Sequence, residues 1–169
     1  LAISMHKASS LPVIVARPFN TFGPRQSLRA VIPTIISQFA TIKSSKSIIK
    51  VGNLDSLRTY ADVRDAVKAY YLLLTKNPKA GEIYNIGGNF TCSVREMLEY
   101  LLSLSKVKNI KIKIDKERVR PIDADLQVPD TSKFKNHTQW KPKISFKKTM
   151  KDLLEYWRKR VKRANFLDR

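Results

Sequence analysis

Short apolar runs that end abruptly in polar residues set the pattern of this chain. Residues 11–15 are rich in β-branched side chains and predict a buried strand over residues 12–16. The chain then turns polar at Arg17-Pro18-Phe19-Asn20, and proline, asparagine and glycine predict a loop over residues 18–29. A second strand ending in glycine is predicted over residues 81–87. Ligands of open α/β sheets bind beyond the carboxyl ends of strands, so both exits are candidate ligand positions.

Helical periodicity alternates with these strands. Asp62 is placed to cap a helix that runs to residue 75, and Ser93 with Glu96 forms the sequence pattern of a capping box. The inward face of the helix over residues 62–75 is predicted to carry apolar residues at helical spacing, namely Val63, Ala66, Val67, Tyr70 and Leu74. Further predicted elements are helices over residues 1–9 and 31–39, a helix that begins at Ser145, a strand over 46–51 and an exposed strand over 110–114. The alternation predicts an α/β fold.

Composition narrows the class of protein. The 169 residues are 43% hydrophobic and 28% charged, as in a globular domain with a core of its own. The sequence shows no apolar run of about 20 residues and no signal-peptide pattern at its start, so we expect a soluble, cytoplasmic protein without membrane partners. Cys92 is the only cysteine, and His6 and His137 are the only histidines, so we expect neither a disulfide framework nor a metal site.

The formal net charge of +19 raises the question of a polyanionic partner. Most lysines are scattered through loops or alternate with apolar residues, and only residues 158–163 form a dense basic block. Because no arginine–aromatic interleaving or helix-turn-helix spacing accompanies that block, the pattern favours solvated basicity over a nucleic-acid surface.

Three arginines stand at the ends of extended segments: Arg17, Arg58 and Arg120. A guanidinium forks onto two phosphate oxygens, so converging arginines suit a diphosphate. Polar side chains near them that are suited to sugar hydroxyls are Asn20, Asn53 and Asp123. The alternative is that each arginine forms a structural ion pair with one of the aspartates Asp55, Asp62, Asp65 and Asp125.

The sequence offers no self-sufficient active site. The two histidines do not suggest a serine–histidine–aspartate arrangement. Gly87-Gly88 lacks the third glycine of a dinucleotide fingerprint and is better interpreted as a turn before the helix that begins near Ser93. Three tyrosines at apolar spacing are interpreted as core residues, namely Tyr60, Tyr70 and Tyr84.

Taken together, these motifs resemble the carboxy-terminal half of the extended short-chain dehydrogenases/reductases that act on nucleotide sugars. The segments that carry the resemblance occur in the family's order and lie at residues 11–20, 21–27, 29–33, 51–58, 62–65, 81–87, 120–123 and 140–142. Gly52-Asn53-Leu54-Asp55 followed by Arg58, and Arg120-Pro121-Ile122-Asp123, are similar to GDP-mannose 4,6-dehydratases and GDP-4-keto-6-deoxymannose reductases. Residues 20–27 and 30–33 look more like dehydratases of other nucleotide sugars.

The resemblance implies the end of a Rossmann-like, parallel-sheet NAD(P)-binding domain interleaved with a small α/β substrate-binding lobe. Residues 1–30 and 58–90 would belong mainly to the NAD(P)-binding part, and residues 31–57 and 91–169 mainly to the lobe. Substrate-binding roles are implied for Asn20 at the sugar-diphosphate, Val31 at the base, Arg58 at the diphosphate, and Arg120 and Asp123 over the nucleotide. Pro18 and Arg25 would lie near the cofactor, NADP or NAD.

Two departures from the family pattern concern these roles. Thr21 stands where the GDP-mannose dehydratases usually have histidine, and Thr59 follows Arg58 where aspartate is common. The family's glycine fingerprint and its catalytic tyrosine and lysine are expected upstream of Leu1, so we expect no catalytic residue in this chain, which alone would be inactive.

The resemblance therefore implies an NAD(P)-dependent nucleotide-sugar 4,6-dehydratase, with a GDP-sugar favoured as substrate and a homo-oligomeric assembly. A 4-keto-sugar reductase or an epimerase of the same family is the alternative within that class. From another class, the alternative is a non-catalytic basic module that binds nucleotides or nucleic acid.

Overall fold

The computed structural model describes residues 1–42, 47–119 and 124–167, with side chains described to residue 163. Its helices are α1 (Ala2–Ser9), α2 (Val31–Thr41), α3 (Val63–Thr75), α4 (Val94–Ser103), α5 (Ser132–Thr138) and α6 (Phe146–Leu167). Its strands are β1 (Val15–Pro18), β2 (Thr21–Phe22), β3 (Ile48–Val51), β4 (Leu57–Asp62), β5 (Ile83–Ile86), β6 (Phe90–Ser93), β7 (Lys111–Ile114) and β8 (Leu126–Gln127). The predicted α/β class is confirmed.

The chain divides into two compact units. Unit 1 consists of Leu1–Thr21, Thr59–Phe90 and Val128–Phe146, and unit 2 consists of Phe22–Arg58, Thr91–Gln127 and Lys147–Arg169. Each unit is thus built from three separated stretches of sequence.

Unit 1 is organised around the parallel pair β1–β5, in which Val15 lies opposite Ile83 and Pro18 opposite Ile86. The strand begins at Val15, later than the predicted 12–16. Before it, the Val13 N–H donates back to the Leu11 carbonyl at 2.9 Å, and the Val13 carbonyl accepts from the Gly81 N–H at 2.7 Å. The core cluster at this pair comprises the buried side chains of Ala69, Leu73, Tyr84, Ile86, Phe134 and Trp140. Tyr84 and Tyr60 are buried and Tyr70 is partly buried, as predicted.

Helix α3 starts at the predicted cap, where the Asp62 carboxylate accepts a hydrogen bond from the Arg64 N–H at 2.7 Å. Its predicted inward face is wrong at two positions, since Val67 is 56% exposed and Leu74 is 71% exposed. The residues buried along this helix are Asp65, Ala66, Ala69 and Leu73. Apolar residues occur nearly all round the helix, and the buried stripe includes Asp65 because its carboxylate accepts the backbone N–H groups of Lys143 and Ile144, each at 2.8 Å.

Unit 2 contains a second parallel pair, β3–β7, in which Lys50 lies opposite Lys113. The alternation of lysine and isoleucine predicted the exposed strand β7 correctly. The capping box of α4 is also confirmed, with Ser93 Oγ accepting from the Glu96 N–H at 3.1 Å and Glu96 Oε2 accepting from the Ser93 N–H at 2.7 Å. The hydrogen bonds that Glu96 Oε2 accepts from the Ser93 N–H and, at 3.0 Å, from the Ser93 hydroxyl lower the pKa of Glu96. Buried side chains of this unit come from α2, β3, α4 and α6.

Three short strands were not predicted: β2, β6 and β8. A further sheet has the order β2–β4–β6, and β8 runs parallel to β4, with Leu57 opposite Leu126 and Arg58 opposite Gln127. β2 and β8 span two residues each, too few for an alternating pattern to distinguish them from a loop. β6 lies in the segment that the sequence pattern predicts to be a turn before Ser93.

Candidate functional site

The carboxyl ends of β1 and β5 bring the two polar exits of the sequence side by side. Arg17 lies opposite Asn85, and beyond the strand the Phe19 N–H donates to the Ile86 carbonyl at 2.8 Å. Arg17-Pro18-Phe19-Asn20 therefore leaves the sheet next to Asn85-Ile86-Gly87-Gly88. The sequence marked each exit separately, and strand pairing makes them neighbours at the edge where α/β proteins bind ligands.

Asn20 holds a special backbone conformation at this edge. Its φ of 40° lies in the left-handed region, which asparagine adopts more readily than most residues. Its carbonyl accepts from the Ala61 N–H at 3.3 Å, and its side chain is half-buried. Pro18 and Arg17 precede it and are exposed, so the exit presents a cation and a fixed turn to solvent.

The two glycines at the end of β5 serve close packing. A Cβ on Gly88 would collide with the backbone carbonyl of Tyr60, and a Cβ on Gly87 would lie 2.5 Å from Cγ of Pro129. Both spaces are filled by this protein's own atoms. The pair is therefore a packing feature of the edge and does not form a phosphate cradle. The predicted turn before α4 also contains strand β6.

Two of the aspartates that were candidates for ion pairs with Arg17, Arg58 and Arg120 bind other arginines. Asp55 binds Arg95 and Asp62 binds Arg64, each with an N–O distance of 2.7 Å. Asp65 accepts backbone N–H groups. Within the described residues, Arg17 has no acidic partner. The structural alternative predicted for that arginine is therefore not realised in the described part of the chain.

In unit 2, three predicted site residues fall on the segments around α2 and β4. Arg25 lies exposed in the loop after β2, with a φ of 70°, and Val31 is the first residue of α2 and is 43% exposed. The N-cap of α2, Ala30, makes no side-chain cap, so the first N–H groups of the helix have no capping side chain. Arg58 is half-buried, and its Nη1 donates to the Leu57 carbonyl at 2.8 Å.

The remaining predicted residues, Arg120 and Asp123, lie outside the described residues. The structure also aligns Gln127 of β8 with Arg58, a neighbour that the sequence pattern did not predict. A two-residue strand carries no periodic signal by which it could have been found.

Catalytic groups are few among the described side chains. Burial raises the pKa of Cys92 to about 12, so its thiol stays protonated at neutral pH and is a poor nucleophile. Within residues 1–42, 47–119 and 124–167, no three His, Cys, Asp or Glu side chains gather where they could hold a metal ion. What this geometry offers is binding and orientation of a ligand.

Comparison with known proteins identifies the family. A sequence model described as GDP-mannose 4,6 dehydratase matches residues 1–153. The chain belongs to this family. The resemblance predicted from the motifs is confirmed.

Relatives within and around the family differ in activity. The chain is 32% identical over 152 residues to GDP-6-deoxy-D-mannose reductase of Pseudomonas aeruginosa, covering 89% of this chain and 49% of the relative. It is equally 32% identical to dTDP-D-glucose 4,6-dehydratase of Mus musculus, covering 88% of this chain and 41% of the relative. The chain thus spans about half the length of the curated relatives it matches.

Solved structures show the same fold. RMD from Pseudomonas aeruginosa, in complex with NADPH, superposes with a TM-score of 0.83 at 29% identity, covering 95% of this chain and 53% of that one. A dTDP-glucose 4,6-dehydratase from Bacillus anthracis in complex with NAD superposes with a TM-score of 0.80 at 26% identity, covering 95% of this chain and 49% of that one. Both bear out the Rossmann-like fold class. In the part of the chain that the structure describes, no helix has the length and apolar character needed to cross a membrane.

Proposed function

We propose that this chain supplies the substrate-binding half of an NAD(P)-dependent nucleotide-sugar 4,6-dehydratase that acts on GDP-mannose. The observation that carries the proposal is the adjacency of the two polar exits at the carboxyl edge of β1–β5, in a chain of the GDP-mannose 4,6 dehydratase family. A cytoplasmic location, a homo-oligomeric assembly and the division into an NAD(P)-binding part and a substrate lobe are parts of the same proposal and rest on the resemblance.

Residues of unit 1 would serve the cofactor and the sugar-diphosphate. Pro18 would lie near the cofactor because it is exposed at the end of β1, and Asn20 would face the sugar-diphosphate from its left-handed turn. The exposed guanidinium of Arg17 supports ligand binding at this edge of β1–β5. It has no acidic partner within the described residues and would attract an anionic ligand. An exposed edge with a cation and an amide is compatible with NADP or NAD.

Residues of unit 2 would hold the nucleotide. Val31, exposed at the start of α2, would contact the base, and Arg25 would lie near the cofactor. Arg58 would bind the diphosphate, because a guanidinium can donate to two phosphate oxygens at once. Arg120 and Asp123 would close over the nucleotide; this assignment rests on the resemblance alone.

The chemistry proposed for the complete enzyme balances without an external oxidant. A bound nicotinamide cofactor would supply the hydride chemistry for oxidation at C4 and reduction at C6 of the sugar, with the loss of one water between them. The residues described here would hold the substrate and fix its orientation, which is where binding energy contributes to rate.

A reductase of a GDP-4-keto-6-deoxy sugar is the second candidate. It is favoured by the 32% identity to GDP-6-deoxy-D-mannose reductase and by the superposition on the structure of RMD. An epimerase of the same family is the third. Mass spectrometry of products separates the three: a dehydratase removes one water from GDP-mannose, a reductase adds two hydrogens to the keto sugar, and an epimerase leaves the mass unchanged. Turnover of dTDP-glucose but not GDP-mannose by the complete enzyme would contradict the proposed substrate.

Binding by the chain itself is tested by titration with GDP, dTDP and UDP in isothermal calorimetry. We expect GDP to bind tightest, and Arg58→Gln to weaken GDP binding by about 10- to 100-fold, as loss of a charge-assisted hydrogen bond does. The matched control is Arg95→Gln, which removes an exposed arginine of the same unit that pairs with Asp55. Equal loss in both variants would show that Arg58 has no specific role.

A further inference from the structure

The outer face of helix α6 is a row of basic side chains that the family relationship does not explain. Between residues 147 and 163 the helix carries eight lysines and arginines against two acidic residues. The family match ends at residue 153, yet the helix continues to Leu167. Most of the basic residues of this helix therefore lie beyond the matched segment.

Half of these cations already have partners within unit 2. Lys148 pairs with Asp152 at 2.7 Å, and Arg158 pairs with Glu155 at the same distance. The ammonium of Lys147 lies over the ring of Tyr100 at 5.6 Å. Arg160 stacks on Trp157 at 5.8 Å and approaches the Tyr156 hydroxyl.

The other four cations are exposed and have no acidic partner among the described residues: Lys151, Lys159, Lys162 and Arg163. At about 100° per residue they occupy an arc of about 120° on one side of the helix, and at about 1.5 Å per residue they extend over about 18 Å. That length corresponds to about five base pairs of duplex, which carries one negative charge for every ~1.7 Å of axis. Lys159, Lys162 and Arg163 lie within about 6 Å of one another along the axis, and Lys151 lies at the other end of this length. The acidic residues on this side, Asp152 and Glu155, are paired with Lys148 and Arg158.

The opposite side of α6 is fixed within unit 2. Met150 and Leu153 are fully buried and Leu154 is 3% exposed. Because these apolar side chains are covered, this part of the helix has no apolar face to insert into a lipid surface, as an interfacial amphipathic helix requires. The buried side also holds the basic face outward.

We propose that the basic face of α6, formed by Lys151, Lys159, Lys162 and Arg163, binds the phosphate backbone of nucleic acid. The sequence pattern alone favours solvated basicity for residues 158–163; the proposal rests instead on the exposure of these four side chains and on their lack of acidic partners among the described residues. This activity is separate from nucleotide-sugar binding and does not depend on it. Recognition is by charge alone, so the site does not discriminate between base sequences.

The test is fluorescence anisotropy of the full chain with a labelled duplex of about 20 base pairs, from about 50 to about 200 mM salt. Four phosphate contacts predict a slope of log affinity against log salt of about −3.6, and Lys159→Gln with Lys162→Gln reduces its magnitude by about 2. The matched control, Lys135→Gln with Lys141→Gln, removes two exposed lysines of unit 1 and leaves the slope unchanged. Circular dichroism checks that both variants keep their helices.

Two results would overturn the proposal. Equal weakening by the two double variants would mean that duplex binding reflects the net charge of the chain. Tighter binding to vesicles of phosphatidylserine and phosphatidylcholine than to the duplex, with the same dependence on Lys159 and Lys162, would assign the face to anionic lipid.

Discussion

The two parallel pairs of this protein have the same length but place their polar residues differently. In β1–β5 the polar residues Arg17 and Asn85 lie near the carboxyl end, whereas in β3–β7 the lysines Lys50, Lys111 and Lys113 are spread along the pair. Four exposed residues of β3–β7 lie on one face, namely Ile48, Lys50, Lys111 and Lys113, and Ile114 at the carboxyl end of β7 is exposed as well. Polarity at a strand end builds a local site, while polarity along a strand builds a solvated face.

The largest effect is expected at the buried side of β1–β5. Tyr84 is 1% exposed, and its ring centroid lies 5.3 Å from His137 and 5.9 Å from Phe134. Tyr84→Ala is expected to lower the free energy of unfolding by about 4 kcal/mol, because it opens a large cavity. Urea unfolding measures this, and the control Lys111→Ala on β7 changes it by no more than about 0.5 kcal/mol. Similar decreases in the free energy of unfolding for Tyr84→Ala and Lys111→Ala would contradict the difference drawn between β1–β5 and β3–β7.

The glycine at the end of β5 should be nearly as sensitive. Gly88→Ala drives a Cβ into the Tyr60 carbonyl, a backbone atom that cannot move aside cheaply, and should cost about 2 to 3 kcal/mol. The neighbouring control, Asn89→Ala, changes an exposed residue and should be close to neutral. Thermal unfolding compares the stability of the two variants. An unchanged melting temperature in Gly88→Ala would argue against the close approach of Gly88 to the Tyr60 carbonyl.

The buried carboxylate of Asp65 on α3 stabilises unit 1 through hydrogen bonds to the backbone. Asp65→Ala leaves the partly buried N–H groups of Lys143 and Ile144 without their acceptor and should cost about 2 kcal/mol, within the range for unsatisfied donors. Asp55→Ala removes only an exposed partner of Arg95 and should cost less than about 1 kcal/mol. Denaturant midpoints that coincide for these variants would contradict the assignment.

The smallest effect concerns the lysine face of β3–β7. Lys50 lies opposite Lys113, and like charges across a strand pair are unfavourable. Lys50→Glu should raise the free energy of unfolding by about 0.5 kcal/mol, and the gain should shrink at high salt. Lys111 lies opposite Ile48, so Lys111→Glu should raise the free energy of unfolding by less than Lys50→Glu does. A lower free energy of unfolding in Lys50→Glu would contradict the claim that Lys50 and Lys113 repel each other on the exposed face of β3–β7.

Local chemistry made part of this structure predictable. The caps at Asp62 and Ser93, the exposed lysine–isoleucine strand and both polar exits follow from short-range pattern. The pairing of β1 with β5 joins residues almost seventy positions apart, and no local signal identifies that partner. For the same reason Asp65 was not predicted to be buried, since its acceptor role depends on backbone groups near residue 143.

The most direct test of the account is a two-dimensional NMR titration of the isotope-labelled chain with NADP and with GDP. We predict that NADP shifts the backbone amides of Arg17, Phe19 and Asn20 and those at Asn85 and Gly88, while the amides of β3 and β7 stay unchanged. Shifts confined to β3 and β7, with none at the two exits, would contradict the claim that the carboxyl edge of β1–β5 is the ligand site.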